Sequence, residues 1–293
     1  MNNAATITSL QNPRIKDAVR LRDRRQRVKQ GRILIDGVRE LQRAIDAGVT
    51  LAEAFVCEPL CRTSEAKRLL AELPGSGAEL LAVSEPVFEK LAFGQRAEGV
   101  LGVAEMPRPT LASVAEQIIA PRPAVAPAVI KPRLVVAPDA LPQNAIVAVL
   151  EGVEKPGNVG AVLRSADAAG LSAVILADPR TDLYNPNAIR SSLGTIFTMP
   201  VCEAASSEVL AWLREHDFSI VAARVDGSVP YTQVDYRGPT ALVLGSEAEG
   251  LTAAWSGEGI TAVRLPMLGI ADSLNVSVTA AVLFYEALRQ RQM

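Results

Sequence analysis

A run of prolines divides this chain. Pro107, Pro109, Pro121, Pro123, Pro127, Pro132, Pro138 and Pro142 fall within one stretch, interleaved with alanine and valine. Proline fixes φ and lacks a backbone N–H, so this density opposes both a long helix and a central strand. The stretch predicts an extended, stiff linker over 107–142, in which only Leu111 to Ile119 suits a helical turn or two. A chain of 293 residues divided there predicts two domains, 1–106 and 143–293.

The first domain alternates helix and strand. Asn12 followed by Pro13 marks a helix start, an N-cap acceptor ahead of proline at the first helical position. Ile15, Ala18, Val19 and Arg22 continue that helix, RILID reads as a strand, and Val38, Leu41 and Ile45 form the stripe of a second helix ended by Gly48. AEAFVCE, AELLAVS and GVLGVAE read as further strands, with helical segments over Ser64–Leu73 and Pro86–Ala92. The opening helix and its tail are unusually basic. Arg14, Lys16, Arg20, Arg22, Arg24, Arg25, Arg27, Lys29 and Arg32 are opposed only by Asp17 and Asp23. Lysine plus arginine total 30 against 32 acidic residues, a net charge of −2, which excludes a uniformly basic nucleic-acid coat. A local patch of this kind still attracts a phosphate backbone without reading sequence. Arg20, Arg22, Arg24, Arg25, Arg27 and Lys29 are therefore the candidate nucleic-acid contacts, against the plainer reading of a solvated helix face. No aromatics are interleaved with them to stack on bases.

After the linker the alternation sharpens into an α/β pattern. AIVAVLEGV is a continuous apolar run, as suits a strand buried on both faces of a parallel sheet. A helix over Val159–Ala169 closed by Gly170, the strand LSAVILAD, a helix near Asn187–Leu193, the strand TIFTMPV and a helix over Glu208–His216 follow. Then come FSIVAARV, TALVLG and ITAVRLPM as strands, and an amphipathic helix over Leu274–Gln290 with Val276, Thr279, Ala280, Leu283, Phe284 and Ala287 on one stripe. An open, mostly parallel sheet with helices on both faces results, and such sheets bind ligands at the carboxyl ends of their strands. Three post-strand segments carry the candidate chemistry: EKPGNVGAVLRSADAAG, LGSEAEGL and LPMLGIADSLNVS. Each alone reads equally as a turn or helix cap. No phosphate-binding P-loop is present. Gly257, Gly259 and Ala262 match G-x-G-x-x-A but precede a strand, which fails the context for a dinucleotide fingerprint and removes a nicotinamide-dependent oxidoreductase.

Several other chemistries are disfavoured. Cys57, Cys61 and Cys202 are odd in number and scattered, which suits the cytoplasm better than a disulfide-built secreted fold. Cys57 and Cys61 lack a second ligand pair, so no metal site is expected. His216, the single histidine, stands at a predicted helix end, where the ring commonly serves the last carbonyls. No apolar run approaches the ~18 residues of a membrane span. The first residues also lack the apolar core of a signal peptide.

Taken in order, the three segments resemble the SpoU/TrmH family of RNA ribose 2′-O-methyltransferases, within the SPOUT superfamily. NVGAVLRSA is similar to its first motif, LVLGSEAEGL to the second, and LPMLGIADSLNVSVTAAVLFYE to the third, with DLYNPNAIRSSLGTIF lying between the first two. The resemblance spans Ala145 to Gln290. The N-terminal region more loosely resembles the L30e-like substrate-binding domain often joined to it. Ala248 stands where the second motif more often has glycine or another small residue, which matters if the loop needs positive φ there. The resemblance implies a deep trefoil knot, an exception to the rule against knots. It implies S-adenosylmethionine as cofactor, with Gly245, Gly250, Leu265, Met267 and Leu274 at its binding site, and no metal. It also implies a homodimer formed through the knot domain, in which one protomer can complete the other's site.

The implied chemistry is methyl transfer to a weakly acidic ribose hydroxyl. Because guanidinium keeps its proton, Arg164 is expected to stabilise the developing alkoxide rather than to act as a base. Asn158 orients Arg164 or the ribose, and Glu247, Ser273 and Asn275 hold the loops in register. The alternative for Arg164 is a surface ion pair with Asp167, one helical turn away. The resemblance favours 23S ribosomal RNA as substrate, with transfer RNA as an alternative. A catalytically silent RNA-binding or ribosome-assembly protein of the same fold is the reading from another class.

Overall fold

The computed structural model describes residues 6–93, 98–119 and 143–292. Two compact units emerge. The first comprises the chain up to Pro107 together with Tyr184–Thr198, and the second comprises Arg108–Leu183 and Met199 onward.

In the first unit the elements run α1 (Pro13–Arg20), α2 (Arg24–Gln30), β1 (Arg32–Asp36), α3 (Val38–Asp46), β2 (Leu51–Val56), α4 (Ser64–Glu72), β3 (Glu79–Ala82), α5 (Glu85–Leu91) and β4 (Val100–Glu105). The sheet order is β1-β4-β2-β3, with β4 antiparallel to both neighbours and β2 parallel to β3. Asn12 caps α1 by accepting from the Arg14 N–H at 2.9 Å, as the Asn-Pro pair predicts. Ile15, Ala18 and Leu21 enter a core with Phe55, Phe88 and Leu101. The basic stretch, however, is two helices rather than one helix and its tail, because Asp23 caps a new start by accepting from the Gln26 N–H. Asp36, at the end of β1, accepts from the Phe93 N–H, and burial pushes its carboxyl up to about 6.

In the second unit, α6 (Leu111–Ile119) is followed by β5 (Ile146–Glu151), α7 (Pro156–Ala169) and β6 (Ala173–Ala177). The chain then contributes α8 (Pro186–Ser191) and α9 (Thr195–Thr198) to the first unit. It returns through β7 (Val201–Ala204), α10 (Ser206–Glu215), β8 (Ser219–Ala223), β9 (Val229–Pro230), β10 (Thr240–Leu244), β11 (Ile260–Arg264) and α11 (Val276–Gln292). Seven strands form one parallel sheet in the order β7-β6-β5-β10-β8-β11-β9. The α/β, parallel-sheet expectation therefore holds. TIFTMPV is not one strand: Thr195–Thr198 is a helical turn, and β7 starts at Val201. Leu193, with φ of 54°, and Gly194 break the chain between α8 and α9, which local apolar character could not reveal.

Leu111–Ile119 is more than a helical turn in a linker. Val114 and Ile118 are buried in the same core as Val147, Ile175, Trp212 and Trp255, so α6 is a packed part of the second unit. Pro121 through Pro142 lie outside the described residues. In α11, Val276, Ala280, Leu283, Phe284 and Ala287 are buried along the predicted stripe, and the helix packs on α7. His216 closes α10, its Nδ1 lying 2.9 Å from the Trp212 carbonyl oxygen and its ring 4.8 Å from the indole. That is the helix-end role expected of it.

Candidate active site

Strands β5, β8, β10 and β11 lie side by side and parallel, so the loops leaving their carboxyl ends emerge on one edge of the sheet. Three of those loops close around a cavity of about 600 Å³. The segment after β10 folds back on itself. Ser246 and Gly250 exchange two backbone hydrogen bonds of 3.1 Å, and the Ser246 hydroxyl accepts from the Glu249 N–H at the same distance. Two glycines make this turn possible. A Cβ on Gly245 would lie 2.2 Å from the Gly250 carbonyl carbon, and Gly250 itself has φ of 69°. Ala248 is not among the residues with positive φ, so alanine fits where the motif more often has glycine.

Gly245, Glu247, Gly250, Leu265, Met267, Ser273, Leu274 and Asn275, all expected at the site, line this cavity. Asn158 does not line it but ties its wall together. From the first turn of α7, its amide donates to Glu247, and its carbonyl oxygen lies 3.4 Å from the Asn275 side-chain nitrogen. Asn275 Oδ1 meanwhile accepts from the Ser277 N–H at 2.9 Å and starts α11. One chain of side-chain hydrogen bonds, two amides and a carboxylate, thus joins the loops after β5, β10 and β11. Arg164 is placed differently. It is exposed on α7, outside the cavity lining, and among the described residues its side chain has neither a hydrogen bond nor an ion pair. The ion pair with Asp167 is not formed.

Several residues of this site carry no motif signal. Glu151, at the end of β5, is 3% exposed and accepts from the Ser206 hydroxyl at 3.0 Å and from the Thr252 N–H and hydroxyl, both at 2.8 Å. It anchors the chain just past the β10 loop. Arg180 is clasped by Glu154 and Glu249, which raises its pKa. Arg224 and Asp226, in the loop after β8, line the cavity as a further pair. The rule that a strand's carboxyl end carries the loop worth reading points to this segment, ARVDGS, as well as to the other three.

The basic stretch divides. Arg20, Arg24, Arg25 and Lys29 are exposed, Arg20 pairing with Asp17 at 3.0 Å. Arg22 and Arg27 must be withdrawn from the candidate RNA contacts. Arg27 is 1% exposed and donates to the Leu21 carbonyl at 2.7 Å. Arg22 donates to the carbonyls of Lys90, Leu91 and Ala92 at 2.9, 3.2 and 2.7 Å and lies over the Phe93 ring. A guanidinium near a helix C-terminus meets carbonyls with no intrahelical partner, so Arg22 serves α5. All three cysteines are buried, and burial raises their thiol pKa, that of Cys202 to about 12. Among the described residues no group of three or more His, Cys, Asp or Glu is assembled for a metal ion, and no helix is long and apolar enough to cross a membrane.

Known proteins match both units. Residues 145–285 match the SpoU rRNA Methylase family, and residues 12–102 match the MRM3-like substrate binding domain. The 23S rRNA (guanosine-2′-O-)-methyltransferase RlmB of Bordetella pertussis is 32% identical, the match covering 83% of this chain and 91% of that protein. A crystal structure of an RNA 2′-O ribose methyltransferase is 42% identical with a TM-score of 0.78, covering 99% of this chain and 100% of that one. The SpoU methyltransferase AviRb from Streptomyces viridochromogenes, crystallised with AdoMet, is 26% identical with a TM-score of 0.79, covering 96% and 99%. With this agreement along nearly its whole length, the chain belongs to the SpoU rRNA methylase family.

Proposed function

We propose that this chain transfers a methyl group from S-adenosylmethionine to a ribose 2′-hydroxyl of 23S ribosomal RNA. The observation that carries this reading is the cavity at the sheet edge, lined by the second and third motifs, whose loops Asn158 of the first motif ties together. The 23S rRNA specificity of RlmB, the relative described above, supports the substrate, and the AdoMet held by AviRb supports the cofactor.

The residues present fit that cofactor. Gly245 leaves no room for a Cβ against Gly250, so main chain rather than side chain forms part of the wall. Leu265, Met267 and Leu274 supply apolar surface for a base, and Gly245 and Gly250 keep the backbone accessible to a ligand. When bound, S-adenosylmethionine supplies an electrophilic methyl group on a sulfonium that departs as a neutral thioether. Such a leaving group needs no metal. The demand falls on the nucleophile, whose oxygen gains negative charge as its hydroxyl proton passes to an RNA phosphate or to water and the new carbon–oxygen bond forms. A guanidinium answers it by stabilising the alkoxide, since it holds its proton too tightly to serve as a base. Arg164, unengaged among the described residues, is the group we assign to this task. Asn158, Glu247, Ser273 and Asn275 position the loops.

Because Arg164 stands outside the cavity lining of its own chain, the reading includes a homodimer in which Arg164 completes the partner's site. Val278 and Tyr285, half-exposed on α11 beside α7, support an apolar face for that association. The deep trefoil knot belongs to the same reading, in keeping with the out-of-sequence order β5-β10-β8-β11 and the return of α11 onto α7. Arg20, Arg24, Arg25 and Lys29 hold RNA by its backbone. The three buried, unpaired cysteines support a cytoplasmic setting.

The test is methyl transfer itself. Purified protein incubated with tritiated S-adenosylmethionine and unmodified 23S rRNA should label one nucleotide, which then resists alkaline cleavage at its 3′ side. Label on a base, or none on any ribosomal RNA, would overturn the reading.

A further inference from the structure

One of the three loops that line the cavity lies outside the motifs. Residues 223–226 leave the carboxyl end of β8, and Gly227 follows. That glycine is pressed against β11: a Cβ there would lie 2.5 Å from the Val263 carbonyl carbon. The Arg224 N–H also donates to the Val263 oxygen at 2.9 Å, so the loop's backbone is fixed to the neighbouring strand. Its side chains are fixed as well. Arg224 Nε and Nη2 reach Asp226 Oδ1 and Oδ2 at 2.8 and 3.1 Å, and Nη1 reaches the Ser256 hydroxyl at 2.7 Å. A two-point contact of this kind sets the plane of the carboxylate.

Other acidic groups on the wall are engaged elsewhere or held by nothing comparable. Glu247 turns to Asn158, and Glu249 to Arg180. Among the described residues, Asp226 is the cavity carboxylate whose cationic partner lies in the same wall. The neighbouring guanidinium also holds its carboxyl below the usual range, so it is ionised.

An ionised carboxylate only accepts, so its ligand must donate. A cofactor of the adenosyl class offers three kinds of donor: the base amine, the two ribose hydroxyls and the amino-acid ammonium. The base suits the apolar lining of Leu244, Leu251, Val263, Leu265 and Met267. The ammonium is a poor match, because Arg224 cancels the field of Asp226 and repels a cation. Two adjacent neutral hydroxyls match two carboxylate oxygens with lone pairs to spare, the pairing that acidic residues make with ribose in dinucleotide sites. We propose that Asp226, clamped by Arg224, recognises the ribose diol of the cofactor.

This rests on the S-adenosylmethionine reading above, and calorimetry separates the two. Three probes are titrated into wild type and Asp226→Asn: S-adenosylhomocysteine, 5′-methylthioadenosine, which lacks the amino acid, and the 2′,3′-dideoxy form of methylthioadenosine. The substitution should weaken the first two by the same factor, about tenfold, as expected for lost hydrogen bonds to a charged group. It should leave the dideoxy probe unaffected. A loss for S-adenosylhomocysteine that vanishes with methylthioadenosine would reassign Asp226 to the ammonium and overturn the proposal. Equal affinities throughout would make Asp226 a bystander and overturn it too. Failure of wild type to bind S-adenosylhomocysteine would instead overturn the cofactor reading, and this proposal with it. Asp226 is exposed, so the variant should keep the wild-type melting temperature without ligand, which checks that any loss belongs to the site.

Discussion

In the second unit, residues far apart along the chain converge, whereas in the first, near neighbours in one basic stretch part company. Asn158, Glu247 and Asn275 come from three loops and touch. Arg24 and Arg27 are three residues apart, and one is exposed while the other is buried. Convergence is enforced by the parallel sheet, which delivers every post-strand loop to the same edge. Divergence arises because a charge run specifies composition but not direction. Even a helix as short as α2 turns one of its arginines inward, and a buried guanidinium persists only where carbonyls receive it.

Of the expected catalytic residues Arg164 alone stands apart from the cavity and its wall, and the largest effect is expected there. Arg164→Ala should lower the rate of methyl transfer roughly 10²–10³-fold, the loss typical of a removed transition-state donor. Cofactor affinity by calorimetry should stay unchanged, and near-wild-type tritium transfer would remove Arg164 from the mechanism. The next effect is on the inward arginine. Arg27→Ala should destabilise the chain by about 3 kcal/mol in urea unfolding, while Arg25→Ala should fall within about 0.5 kcal/mol of wild type. Similar values for both would mean that the basic stretch does not divide.

Asp36 tests the same unit through pH. Its folded carboxyl, at about 6, keeps a proton that an ordinary carboxyl, at 3.8, has released. Between those values the folded state binds more protons, so its contribution to stability falls as pH rises through that window. Relative to Asp36→Asn, wild type should lose about 2–3 kcal/mol between pH 4 and pH 7, measured by urea unfolding of both proteins. The smallest effect belongs to the outward cations. Replacing Arg24, Arg25 and Lys29 with glutamine should reduce the slope of log affinity for RNA against log salt by about 2, with base preference unaltered. An unchanged slope in filter binding would place the RNA elsewhere.

The strand–helix alternation of the second unit was legible because strands such as β5 are apolar on both faces and α7 ends on Gly170. The cavity was legible only through ordered motifs, since no spacing rule connects Asn158 with Glu247. Three features were not legible. The break between α8 and α9 depends on positive φ at Leu193, and the inward turn of Arg22 depends on α5, almost seventy residues downstream. Glu151 is a single acid ending an apolar run, and its three donors come from segments about fifty and one hundred residues away. Such pairings are decided by tertiary structure alone.

The excursion of Tyr184–Thr198 into the first unit has a consequence for how this protein can be cut or recombined. Within that unit Gly194 stands so close to Glu40 that a Cβ would lie 3.0 Å from its Cα, and Arg43 donates to the Leu193 carbonyl at 2.8 Å. A gene shortened to start at Arg108 would still encode α8 and α9, stripped of the surface they pack against. The two units are thus not two consecutive stretches of sequence. Swapping the N-terminal piece between relatives should succeed only when this small hairpin travels with it.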